Sequence, residues 1–265
     1  MNQKNLNAVN SKPYTFDAVK VKNEIVDWIR EYFRQNGSDC KAIIGISGGK
    51  DSSVVAALCV EALGEDRVIG VLMPDGYQKD IGDAEQLCEH LGIKSYEINI
   101  GNATEAIRVA MIACDLVPSV QTKTNLPPRI RMATLFAVAQ TCNGRVANTC
   151  NFSEDFLGWN TLFGDSAGQF APLAKLTATE VIKIAEVLNL PENLVHKAPA
   201  DGLTDKSDED NFGFTYDFLD IYIRTGYYGI DTATAAKIDS MHDRNKFKLA
   251  PMPHFDYYPE DPYRF

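Results

Sequence analysis

The chain has 265 residues, 45% of them hydrophobic, which is enough for one large domain with a real core. Its net charge of −10 argues against a broad nucleic-acid surface, which needs a basic stripe, yet allows an anionic small ligand held by a few local cations. No apolar run approaches a membrane span, the first residues carry no apolar signal region, and six cysteines and four histidines show neither C-x-x-C nor zinc spacing. These features predict a cytoplasmic chain with free thiols, no structural zinc, and no nucleic-acid or membrane partner.

Residues 16–37 predict an amphipathic helix, with Val21, Ile25, Trp28, Ile29, Tyr32 and Phe33 at helical spacing and Gly37 at its end. The stretch KAIIGIS (41–47) predicts a short buried strand and SSVVAALCVEALG (52–64) a helix closed by Gly64. A strand at 66–74, a helix at 80–92 and a third strand at 94–100 follow, and this alternation implies a parallel sheet covered on both faces. Residues 101–115 read as helical and 116–128 as a loop with three prolines. A helix is then expected from Pro127 to Gly144, with two prolines at its start, where a missing N–H costs nothing. RVANT (145–149) is the fourth strand, and the glycine- and aromatic-rich stretch 157–172 is a loop. Thr177 and Glu180 have the spacing of a capping box and open the next helix. An acidic loop at 199–211, two helices and an irregular end from Ala250 complete the chain. The fold class is α/β, a doubly wound parallel sheet with a helical C-terminal part, in a single domain over 1–265 whose residues 1–13 are expected to be flexible.

The stretch AIIGISGGKDSS (42–53) runs an apolar strand into a glycine turn. GISGG satisfies the nucleophile-elbow pattern around Ser47, but that elbow follows a strand deep in a sheet, and here the strand is the first. A Walker A loop fails as well, because its first glycine falls at Ile44 and Asp51 stands where Ser or Thr is required. What remains is a glycine turn at a helix N-terminus, suited to a phosphate-like anion, with hydroxyl donors at Ser47 and Ser52. Asp51 makes sense beside a phosphate when Mg²⁺ lies between them, and otherwise as a helix cap.

SGGKDSS resembles the pyrophosphate-binding loop of the ATP pyrophosphatases, which cleave ATP between its α and β phosphates. NLPPRIRM (125–132), NTCNFSED (148–155), LFGDSAGQFAPL (162–173) and DKSDEDNFGFTYDFLD (205–220) resemble motifs of ammonia-dependent NAD synthetases. The resemblance implies an adenine nucleotide alpha hydrolase-like fold. It implies that Gly45, Ile46, Ser47, Gly48, Gly49, Lys50, Asp51 and Ser52 bind ATP with Thr149, and that Asp51 and Glu154 are the catalytic carboxylates holding Mg²⁺. It implies contacts from Arg129, Gln169, Asn245 and Lys246 to deamido-NAD, whereas Arg131 points to another helix face. The reaction implied is attack of the nicotinate carboxylate on the α-phosphorus of ATP, then displacement of AMP by ammonia.

A homodimer is implied too, with helix 127–143 and its apolar residues Ile130, Leu135, Phe136, Val138 and Ala139 at or near the interface. No glutaminase domain is expected, because only about forty residues precede the first strand. Several positions depart from the common pattern. Leu162 and Gln169 replace a lysine and an aspartate, Ala178 a phosphate-binding lysine, Ala200 a threonine or serine, and Asn245 a histidine; Lys175 lies one turn before position 178. Rival readings are an ATP pyrophosphatase for another carboxylate, a non-catalytic nucleotide-binding relative, and an RNA-thiolating protein, which would bring paired cysteines and a basic surface. The loop 199–211, with the segment 158–170, is the expected cover over a water-sensitive acyl-adenylate, and Lys206 is its protease probe.

Overall fold

The computed structural model describes residues 14–197, 208–226 and 231–256. Four short strands form one parallel sheet in the order β3-β2-β1-β4: β1 (Lys41–Gly45), β2 (Val68–Leu72), β3 (Lys94–Glu97) and β4 (Gly144–Val146). Ala42 pairs with Val68 on one side of β1, and Lys41 with Gly144 on the other. The interior of β1 and all of β2 are buried, as expected of strands covered on both faces. Beyond β3, Ile98 and Ile100 still donate to the Leu72 and Pro74 carbonyls, so the predicted strand 94–100 pairs along its length although its regular part is shorter.

One face of the sheet carries α1 (Ala18–Asn36), α2 (Lys50–Leu63), α3 (Ile81–Leu91), α7 (Ala178–Val187) and α8 (Glu192–Val195), packed around Ile29, Phe33, Ile44, Leu58, Leu87 and Ile184. In α1 the buried positions are Val26, Ile29 and Phe33, whereas Trp28, expected inward, is 45% exposed. Residues 26, 29 and 33 lie on one side of the helix at three- and four-residue spacing, and Trp28 falls off that stripe.

The other face carries α5 (Val120–Thr141), packed on Ile43, Ile69, Val71 and Met73, and α4 (Gly101–Ala113), which lies against α5. The loop predicted for 116–128 is largely helix instead. Ser119 caps α5 by accepting from the Thr122 N–H, and Pro127 and Pro128 lie inside the helix rather than at its start. Prolines there remove the donors that would serve the Lys123 and Thr124 carbonyls, which sit on the outer, partly exposed side of the helix.

A third cluster, Leu157, Ala178, Phe212, Phe214, Tyr216, Leu219 and Ile238, joins α6 (Phe152–Leu157) to α9 (Asp208–Phe212), α10 (Tyr216–Thr225) and α11 (Thr232–Asn245). The acidic loop expected over 199–211 is corrected at its end, where α9 begins at Asp208. The Phe212 side chain is buried in the cluster and supplies the apolar anchor of that helical turn. The rest of that loop, Ala200 and Lys206 included, and residues 1–13 lie outside the described residues. No helix among the described residues is long and apolar enough to cross a membrane.

Candidate active site

The strand order reverses between β1 and β4, and an open parallel sheet binds ligands in the crevice at the carboxyl ends of such strands. Past β1 the Ile46 N–H donates to the Val71 carbonyl at 3.0 Å, and the chain then turns through Ser47, Gly48 and Gly49 into α2. Gly48 has φ +79°, and a Cβ there would lie 2.9 Å from Asp83 Cβ and 3.1 Å from the Ala84 nitrogen, so only glycine fits. Hydroxyls fix the turn from within. Ser47 Oγ accepts from the Gly49 N–H at 3.2 Å, and Ser52 Oγ accepts from the Ser47 N–H at 3.3 Å and donates to the Gly49 carbonyl at 3.1 Å. The turn is thus shaped before any ligand arrives, with the positive end of α2 at its mouth.

The segment after β4 meets this turn. Asn151, fully buried, caps α6 by accepting from the Glu154 N–H at 3.1 Å, and its Nδ2 donates to Asp51 Oδ1 at 3.1 Å. One carboxamide therefore sets both the first turn of α6 and the carboxylate of α2. Asp51 Oδ2 accepts from Lys50 Nζ at 2.8 Å. Burial, and next the charge of Asp51, push the Glu154 carboxyl well above the usual carboxylate range, with Lys50 opposing the shift. Burial disfavours the Lys50 ammonium, but Asp51, Glu154 and Asp208 outweigh it and raise its pKa. Thr149, half-buried, stands in the same turn between β4 and α6.

These donors fit the magnesium that the motifs imply. Two hard carboxylates share one crevice, and the part of the upward push on Glu154 that comes from the Asp51 charge is what a cation between them would relieve. Among the described residues no group of three or more His, Cys, Asp or Glu side chains is arranged around one point. The remaining ligands would be water and phosphate oxygens, as this ion prefers.

The other predicted binding residues stand on separate elements. Arg129 is exposed on α5, with its Nε donating to the Leu162 carbonyl at 3.3 Å. Gln169 spends its side chain on the scaffold, Oε1 accepting from the Val146 N–H at 2.9 Å. Asn245 donates to the Leu157 and Met241 carbonyls at 2.9 and 3.0 Å, against Gly158, whose missing Cβ would fall 2.2 Å from Asn245 Cβ. Lys246 is exposed and pairs with Asp243 at 2.9 Å. Ala178 is buried at the start of α7 and gives its N–H to Ser153 Oγ at 3.0 Å, so no cation stands there; the Lys175 ammonium lies over the Phe152 ring, 5.2 Å from its centroid. Arg131 reaches inward to the Met73 carbonyl at 3.0 Å.

Sequence reasoning missed Asn151 and the polar group around Lys50. The N-x-x-E spacing of Asn151 and Glu154 signals a helix cap, and capping is what brings the asparagine to Asp51. Asp208 accepts from Trp159 Nε1 at 3.2 Å and from the Tyr216 hydroxyl at 3.3 Å, contacts that no local spacing announces.

A parallel sheet with a phosphate-type turn and paired carboxylates at its switch point defines a nucleotide-binding α/β protein of the ATP-pyrophosphatase kind. The NAD synthase family model matches residues 21–252, and the chain belongs to that family. It is 36% identical over 202 residues to the NH(3)-dependent NAD(+) synthetase of Pyrococcus furiosus, covering 76% of each chain. Among solved structures, the NMN synthetase of Francisella tularensis superposes with a TM-score of 0.82 at 31% identity, covering 91% of this chain and all of that one. The NH3-dependent NAD synthetase of Campylobacter jejuni superposes with a TM-score of 0.74 at 28% identity, over 92% of this chain and all of that one.

Proposed function

We propose that this protein is a ligase that amidates deamido-NAD with ammonia at the expense of ATP, giving NAD, AMP and pyrophosphate through an acyl-adenylate. The observation that carries the reading is the junction of Asp51 and Asn151, which sets the phosphate turn and Glu154 into one crevice in a chain of the NAD synthase family. The turn from Gly45 to Ser52 holds the phosphates by backbone N–H groups and the Ser47 and Ser52 hydroxyls, and Thr149 flanks the nucleotide. Asp51 and Glu154 would hold Mg²⁺, which supplies charge neutralisation of the phosphates when bound. A carboxylate is a poor electrophile, so adenylylation provides the leaving group, and the side chains act by position and charge rather than as nucleophiles. Arg129 and Lys246, both exposed, are the cations we assign to the anionic acceptor, with Gln169 and Asn245 shaping its site through the backbone they hold.

A second copy of the chain completes the reading as a homodimer. A cytoplasmic setting agrees with six unpaired thiols. The test is formation of AMP and NAD from ATP, deamido-NAD and ammonium; stoichiometric ADP in place of AMP would reject it. The high TM-score to an NMN synthetase makes nicotinate mononucleotide the second acceptor to assay, and a larger kcat/KM for it would move the assignment to the mononucleotide.

A further inference from the structure

Lys50 is the first residue of α2, only 6% exposed, and its ammonium lies 2.8 Å from Asp51 Oδ2 and 5.7 Å from the centre of the Tyr216 ring. Burying an ammonium is costly, and a buried ion pair seldom stabilises a fold more than well-packed apolar side chains would. Packing alone therefore gives no reason for a charge there. The groups around it do. Asp51 pairs with the ammonium directly, and Glu154 and Asp208 add further favourable charge interactions with it.

We propose that Lys50 is the resident counter-cation of the acidic crevice, a positioning residue that holds Asp51 Oδ2 in the free enzyme and keeps the crevice a poor divalent-cation site until ATP brings phosphate ligands. Two observations favour this role over a merely structural one. The ammonium pairs with the carboxylate oxygen that Asn151 leaves, so both oxygens of Asp51 are engaged before substrate binds. The lysine is also enclosed, with the Tyr216 ring over its ammonium, so it is held beside Asp51 rather than in solvent.

The inference rests on the reading of Asp51 and Glu154 as metal carboxylates, and binding of Mn²⁺ to the nucleotide-free enzyme, followed by electron paramagnetic resonance, tests the two separately. Lys50→Met keeps the length of the side chain and removes its charge. Its Mn²⁺ affinity should rise at least about tenfold over the natural chain, the direction and minimum size expected from deleting a unit charge within ion-pair distance in a protein cleft. Lys50→Arg keeps the charge and should stay near the natural affinity. Asp208→Asn should shift the affinity the opposite way, downward, and serves if Lys50→Met does not fold. A folded Lys50→Met with unchanged or weaker Mn²⁺ affinity overturns the proposal while leaving the metal reading intact. Mn²⁺ binding that is the same in the natural chain and in Asp51→Asn, with or without ATP, overturns both.

Discussion

Asp51 is engaged from two directions, by Lys50 beside it and by Asn151 from the far side of the crevice, and Glu154 depends on the same asparagine for its helix turn. On the proposed reading one cation serves both carboxylates, which would then act as a unit. Asp51→Asn and Glu154→Gln should each lower kcat by about a thousandfold or more, with the double variant little worse than either single. Steady-state rates on folded protein check this, and simple additivity of the two losses would contradict a shared ion. A different buried carboxylate bears on stability. Glu180 is buried at the start of α7, where it accepts from the Thr177 N–H at 2.8 Å and from Arg224 Nε at 2.7 Å, and it also accepts from the Tyr14 hydroxyl. Burial alone would raise its pKa, but these hydrogen bonds outweigh burial and hold it below its usual value of 4.5. A lowered folded-state value means stability that is fully present above 4.5 and lost as the pH falls through the folded-state value. Glu180→Gln should cost about 3 kcal/mol at neutral pH, because it leaves the Arg224 charge without its partner. In denaturant titrations its stability should fall less below pH 4.5 than that of the natural chain.

At the scale of elements, the glycine turn after β1 admits no side chain at Gly48 without strain. Gly48→Ala would place a side chain at φ +79° against the start of α3, and should cost about 1–3 kcal/mol together with a loss of ATP affinity. A thermal melt and a nucleotide titration on the same sample check both, and an alanine variant with natural ATP affinity would show that the turn is not the phosphate site. This turn was legible in the sequence because strand, glycines and helix are consecutive, and each local preference agrees with the fold. The capping box at Thr177 and Glu180 was legible for the same reason, and Glu180 does return to the Thr177 N–H. The start of α5 was not. A serine cap at Ser119 and prolines eight and nine residues later give opposite signals, and the helix that forms is the longer one, capped by Ser119 and packed on β1 and β4. Trp28 misled for a related reason, since a large apolar side chain at helical spacing need not lie on the stripe that Val26, Ile29 and Phe33 define. The group of Lys50, Asp208, Trp159 and Tyr216 is long-range in sequence, and no local pattern could assemble it.

For the whole molecule, the question is what covers the outer side of α4. The apolar residues of α5 expected at a dimer interface, Ile130, Leu135, Phe136, Val138 and Ala139, pack against the sheet cluster of Ile43, Val71 and Met73. They therefore support the fold, yet Ile130, Leu135, Phe136 and Val138 are only partly buried, so part of that face stays open to a partner. More fully exposed apolar surface lies next door, on Val109 and Ile112 of α4 and on Leu116, Val117 and Val120 at the link to α5, where Val117 is 87% and Val120 82% exposed. Apolar side chains gathered in this way on one face mark an association surface more often than a free one. A homodimer that uses α4 and the link would bury them, and burial of several such side chains contributes roughly 1.5–3 kcal/mol each before the costs of association. Val117→Glu with Ile112→Glu should therefore convert a dimer to a monomer in light scattering at micromolar concentration, without loss of helical circular dichroism. A natural chain that is already monomeric under those conditions would remove the dimer from the reading. A natural dimer that survives both substitutions would move the interface away from α4.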